Sequence, residues 1–204
     1  MSETFFTSDL HIGHRFVAKM REGIPVDEAR EHTDVDAKHV EDHDRILASR
    51  WDATVTADDI VWVAGDISVG GKRPTLAALE WLKQRPGRKR LIKGNHDIVH
   101  PMHKDHVKWA SAFNEVFEFM DTTTMITIQG VKCMVSHFPY SGDHTPGDRY
   151  EEFRLRDRGI PLVHGHTHVP DRFTQSDEGT AQIHVGVDAW DFTPVHITRL
   201  AEFL

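Results

Sequence analysis

The stretch DIVWVAGD, residues 59–66, decides how this chain folds. A strand with one wet face alternates polar and apolar side chains, and this run does not alternate. It has the form of a strand buried on both faces, as in the parallel sheet of an α/β protein. Gly65 and Asp66 then break the run and leave a carboxylate at its end. The same form recurs outward in both directions. TFFTSD (4–9), RLIKGN (90–95) and IPLVHGHTH (160–168) are short apolar runs that end in glycine or polar residues. TTTMITIQGVKCMVSH (122–137) reads as two strands around a Gln-Gly turn. TAQIHVGVD (180–188) and PVHITRL (194–200) add two more strands.

Helical signals fall between the early strands. Thr33 and Asp36 resemble a capping box, and Val40, Leu47 and Trp51 follow at helical spacing. Pro74 is placed to open a helix carrying Leu76, Leu79 and Leu82, which Pro86 and Gly87 would stop. Met102, His106, Trp109 and Phe113 form a third stripe. The expectation is one α/β domain over residues 1–204, with two mixed sheets packed face to face and helices flanking them.

The bulk composition bounds the function. The chain has 204 residues, enough for a real core, and a formal charge of -8. An acidic balance argues against long duplex nucleic acid as a partner, because phosphate backbones call for a basic face. No apolar run approaches the roughly 20 residues of a membrane span, and a signal peptide is not expected. The single cysteine, Cys133, excludes an internal disulfide and fits a reducing, cytoplasmic setting. Histidine is the outlier at 16 residues. Imidazole is the commonest metal ligand and a proton carrier near neutral pH.

The chemistry-bearing residues collect where the strands end. The first run closes on Asp9 and His11, the second on Asp66, the third on Asn95-His96-Asp97. The hairpin closes on His137, and the last on His166 and His168. Ligands of α/β sheets gather beyond the carboxyl ends of strands, so these five ends are expected to converge. Residues two apart on extended backbone point the same way, which pairs Asp9 with His11 and His166 with His168. Two aspartates, one asparagine and four histidines are too many donors for one ion. They suit two ions sharing a carboxylate, and Asp66 is expected to bridge because its strand looks the most central. Such a pair activates a shared water and clamps a phosphate.

The order DLH, GD, GNHD, SH, GHTH resembles the calcineurin-like metallophosphoesterase family, from residue 9 to 168. The segment HVGVDAWDFTPV is similar to the closing segment of compact bacterial and phage members. The resemblance implies a four-layer α/β/β/α sandwich with a dinuclear site in loops at the strand ends. It implies a first ion on Asp9, His11 and His168, a second on Asn95, His137 and His166, and Asp66 between them. The ions would be divalent transition metals, manganese foremost, with iron, zinc, nickel or cobalt as alternatives. His96 would protonate the leaving alkoxide after attack by a hydroxide held between the ions, and Asp97 would orient its ring.

Other positions carry narrower expectations. Arg15 could reach a phosphate, and Phe138 or Tyr140 could stack on a base. Asp188, Trp190 and Asp191 are candidates to line the pocket. Residues 14–50 are long enough to act as a lid. His39 and His43 share a helix face that reads as solvated. His14, His100 and His144 read as surface histidines, and Arg149 and Arg154 as paired surface charge. The function expected is hydrolysis of small phosphodiesters such as 2′,3′-cyclic nucleotides, with a nucleotide as the substrate partner. A phosphomonoesterase or pyrophosphohydrolase on the same metals is the alternative, and a non-catalytic protein-binding scaffold a minor one.

Overall fold

The computed structural model describes residues 2–204. Along the chain run β1 (Thr4–Thr7), α1 (Arg15–Arg21), α2 (Val26–Arg30), α3 (Asp36–Thr54) and β2 (Ile60–Val63). Next come α4 (Lys72–Lys83), β3 (Arg88–Ile92), α5 (Ala110–Asn114), β4 (Phe117–Asp121), β5 (Thr123–Ile128) and β6 (Val131–Ser136). The chain closes with β7 (Leu162–His164), β8 (Phe173–Gln175), β9 (Ala181–His184), β10 (Val195–His196) and α6 (Ile197–Leu200).

The strands form two five-stranded sheets, ordered β10-β1-β2-β3-β4 and β5-β6-β7-β9-β8. Strands β1 to β4 pair in parallel, and β10 adds an antiparallel edge. In the second sheet β6, β7 and β9 are parallel, with β5 and β8 antiparallel at the edges. Strand β2 is central in the first sheet, which is why its run stays apolar throughout.

Alternation along the strands sorts two cores. Phe5, Val61, Val63 and Leu91 pack with Leu47 and Trp51 of α3 and Leu79 and Leu82 of α4. Phe6, Trp62, Ala64 and Ile92 face the other way, onto Cys133, Val135, Val163 and Ile183 of the second sheet. The outer face of that sheet carries His164, Gln182 and His184, which share a cavity with Pro139 and Ser141 of the loop after β6. The architecture is the expected pair of mixed sheets with flanking helices.

Local details follow the sequence in part. Gln129 and Gly130 make the hairpin turn, both with positive φ. Asp36 accepts from the Thr33 N–H and hydroxyl, so the reciprocal bond of a capping box is replaced by a second bond to the same carboxylate. α4 starts two residues before Pro74, and Leu76 is exposed. The third stripe yields only a 3₁₀ turn and the five-residue α5, with Phe113 alone buried.

Candidate active site

The five strand ends meet. Donor atoms of Asp9, His11 and His168 all lie within 4.8 Å of one another, as do those of Asp9, Asp66 and His137. Asn95 Oδ1 is 3.1 Å from His137 Nε2 and 3.0 Å from His166 Nδ1. Asp66 Oδ2 lies 3.7 Å from His11 Nε2 and 3.4 Å from His137 Nε2, between the two groups. All seven predicted ligands are thus brought together. Asp9 belongs to both groups as well, a sharing the spacing did not announce.

The backbone is bent sharply to achieve this. Asp9, His11, Asp66, His166 and His168 all have positive φ, between 47° and 74°. That region is rare outside glycine, with Asp, Asn and His the residues that tolerate it best. Close approach explains the neighbouring glycines. A Cβ at Gly94 would strike the Asp66 carboxylate and backbone, and one at Gly165 would strike Ser8 and Asp9.

The donor set fits divalent cations. His11 Nε2 and His168 Nε2 face each other at 3.1 Å, so at least one directs a lone pair into the gap between them. His11 Nδ1 is buried with no partner. Burial holds His11 well below its usual range and lowers His166 to about 4, so both are neutral, the form that ligates metal. Burial opposes charge on His137, but Asp66 raises it to about 9, and a cation in that gap would take over the proton's role.

Each remaining ligand histidine is held by its far nitrogen. His137 Nδ1 donates to the Ala64 carbonyl at 2.7 Å. His166 Nε2 meets Asp143 Oδ2 at 3.1 Å, leaving Nδ1 for the site. His168 Nδ1 meets Asp188 Oδ2 at 3.3 Å. Carboxylates in this position fix ring orientation and strengthen the ligand. They are themselves clamped: Arg21 makes two 2.8 Å bonds to Asp188, and Arg149 and Arg154 hold Asp143 at 2.9 and 3.1 Å. Burial works against both carboxylates, yet these partners keep both well below the usual range. Asp143 and Arg21 are site residues that the sequence left unassigned, and Arg149 and Arg154, read there as paired surface charge, instead clamp Asp143 at the site.

A cleft of about 470 Å³ opens over the donors and includes His11, Asp66, Asn95, His96, His166 and His168 in its walls. His96 is held by its backbone N–H to Asp66 Oδ1 at 2.8 Å and by Nδ1 to the Val69 carbonyl at 3.1 Å. Its ring centroid is 5.2 Å from that of His11.

Several expectations need correction. Asp97 does not touch the His96 ring. Its buried carboxylate accepts from the backbone N–H groups of Gly94, Ile67 and Asp66 at 2.8, 3.0 and 3.1 Å, tying the β2 and β3 loops together. Burial and the nearby Asp66 raise it to about 6. Arg15 is spent on the carbonyls of Ala29, Arg30 and Glu31 and does not line the cleft. Phe138 is 2% exposed and packs against His137, His166 and Tyr150. The Tyr140 hydroxyl donates to the Ile160 carbonyl, away from the cleft. His43 is buried against Arg21 and Asp44, not solvated. His14 and His144 line the cleft, and His100 is buried. Asp188 lines it as expected, but Trp190 is core and Asp191 pairs with Arg50.

Residues 6–196 match the calcineurin-like phosphoesterase superfamily domain. The chain belongs to that family. It is 45% identical over 197 residues to the Gene 66 protein of Mycobacterium phage L5, covering 93% of this chain and 88% of that one. It is 44% identical over 206 residues to the Gene 66 protein of Mycobacterium phage D29, covering 98% and 95%. A solved protein of unknown function from Aquifex aeolicus aligns over 100% of both chains, with a TM-score of 0.67 at 20% identity, and shares the fold. Membership implies metal-dependent phosphoester hydrolysis and divalent ions at the clustered donors. Among the described residues no helix is long and apolar enough to cross a membrane.

Proposed function

We propose that this chain is a phosphodiesterase acting on small esters, with nucleotides such as 2′,3′-cyclic nucleotides as the substrate class. Asp9, His11 and His168 would hold one divalent ion, Asn95, His137 and His166 the other, with Asp66 shared; manganese is the first candidate. When bound, the paired cations supply an activated water at neutral pH and neutralise phosphate charge.

The observation that carries the ester reading is the placement of His96, which favours a leaving group that needs a proton and leans toward diesters only slightly. Its Nδ1–H donates to the Val69 carbonyl, so Nε2 is the nitrogen left to serve the cleft. An imidazolium there gives its Nε2 proton to the departing alkoxide and relaxes to the neutral Nδ1–H tautomer that Val69 already favours. A poor alcohol leaving group needs such a proton. Asp143 and Asp188 keep His166 and His168 aimed, and Asp97 fixes the loops that carry Asp66 and Asn95.

Arg149 supports a second reading. Its guanidinium lines the cleft 3.3 Å from His166 and could seat a terminal phosphate, as a phosphomonoesterase or pyrophosphohydrolase requires. Manganese-loaded protein, assayed on a model diester, a model monoester, cyclic nucleotides, a pyrophosphate ester and a single-stranded oligonucleotide, decides between them. A faster diester is expected. Faster monoester or pyrophosphate turnover moves the assignment to the second reading, and silence on all substrates returns the chain to a binding scaffold.

A further inference from the structure

One wall of the cleft is unlike the rest. Phe16, Val17 and Met20 of α1 line it, at positions i, i+1 and i+4 that share a helix face. All three are half-buried, while Ala18 and Lys19 are buried. Lys19 is anchored to the Glu31 carbonyl and to Asp36, and Arg21 to Asp188, so the helix is pinned in place. An apolar surface inside a cleft of imidazoles and guanidinium has no part in holding ions or moving protons.

Its location puts it against whatever fills the cleft. From His96, ring neighbours lead to His11 at 5.2 Å, to His14 at 5.3 Å and then to Phe16 at 6.5 Å. The apolar wall therefore joins the cluster of rings around the donors. From His11 the rings also lead through His168 at 4.9 Å to His144 at 5.8 Å, and Arg149 stands against His166.

We propose that Phe16, Val17 and Met20 form a subsite for a flat, apolar group carried by a phosphate-ester substrate, such as an aryl ring or a nucleobase face. The proposal rests on the phosphoesterase reading above.

The test compares phenylphosphonate with methylphosphonate by calorimetry on manganese-loaded protein. Wild type should bind the phenyl compound at least roughly tenfold tighter, the range expected for filling an apolar pocket. The Phe16→Ala/Met20→Ala double variant should lose most of that preference while keeping its affinity for methylphosphonate. Val17→Lys, which puts an ammonium on the same wall, should do the same by a different route. With 2′,3′-cyclic nucleotides the double variant should raise KM about tenfold with kcat within about twofold. Wild type that cleaves esters but binds both phosphonates equally overturns the subsite. Variants that weaken both compounds alike also overturn it. Wild type that cleaves nothing yet prefers the phenyl compound keeps the subsite and removes the esterase reading.

Discussion

Replacing Asp97 separates two roles that its position beside His96 confounds. Asp97→Ala deprives the buried N–H groups of Gly94, Ile67 and Asp66 of their acceptor. Each orphaned donor costs about 2 kcal/mol, or about 6 kcal/mol for three. The same change removes a carboxylate that burial and Asp66 push up to about 6. Relief of that penalty returns about 3 kcal/mol near pH 8, at 1.4 kcal/mol per unit. The net loss is about 3 kcal/mol, a large share of ordinary stability yet survivable. At a urea slope of about 2 kcal/mol/M, the unfolding midpoint of metal-free protein should fall by about 1.5 M. Asp97→Asn is the control. Gly94 and Asp66 both donate to Oδ2, so an amide oxygen there keeps two of the three bonds while shedding the charge. It should stay within about 1 kcal/mol of wild type and keep its turnover. An Ala variant that unfolds within about 0.3 M of wild type would refute the clamp. So would an Asn variant of full stability that loses turnover as His96→Ala does.

Three further outcomes are expected. His96→Ala should keep two metal equivalents, measured by elemental analysis, and lose about 10²–10⁴-fold in kcat on esters with poor leaving groups, with a much smaller loss on a nitrophenyl ester. Asp143→Asn should weaken one metal equivalent by about 10–100-fold in a chelator competition, and Asp188→Asn the other, because each carboxylate holds a different ligand histidine. Lys89 is buried beneath the Arg85 and Gly87 carbonyls, and desolvation lowers it to about 8 from 10.5. The unfolded chain then binds more protons between those values, so stability should rise as pH climbs from 8 to 10.5. Urea midpoints should show that rise, and Lys89→Met should flatten it.

What the sequence displayed and what it hid differ by range. The seven clustered donors stand directly after apolar runs, so local spacing carries both the strand and its cargo. The Gln129-Gly130 hairpin is equally local. The groups that aim the donors are not. Asp143 reaches His166 from 23 residues away, and Arg21 reaches Asp188 from 167 away, with no periodicity linking either pair. Adjacency misled at Asp97, since neighbours in a tight turn need not point the same way. Arg15 and Arg21 are six apart on α1, which places them on different faces of the helix, and only Arg21 points into the site. His43 is polar and sits in a charged stretch, but Arg21 buries it.

The left-handed backbone at Asp9, His11, Asp66, His166 and His168 has an outcome for how such a protein can change. Held in a region worth about 1 kcal/mol or more against each side chain, these five positions together set on the order of 5 kcal/mol against the folded state. Glycine would relieve the conflict at each of them and abolish a donor at the same stroke. Selection for heat tolerance alone, applied to ion-depleted protein, should therefore drift toward inert variants whose losses begin at these bends. Only pressure that rewards turnover would keep the kinks.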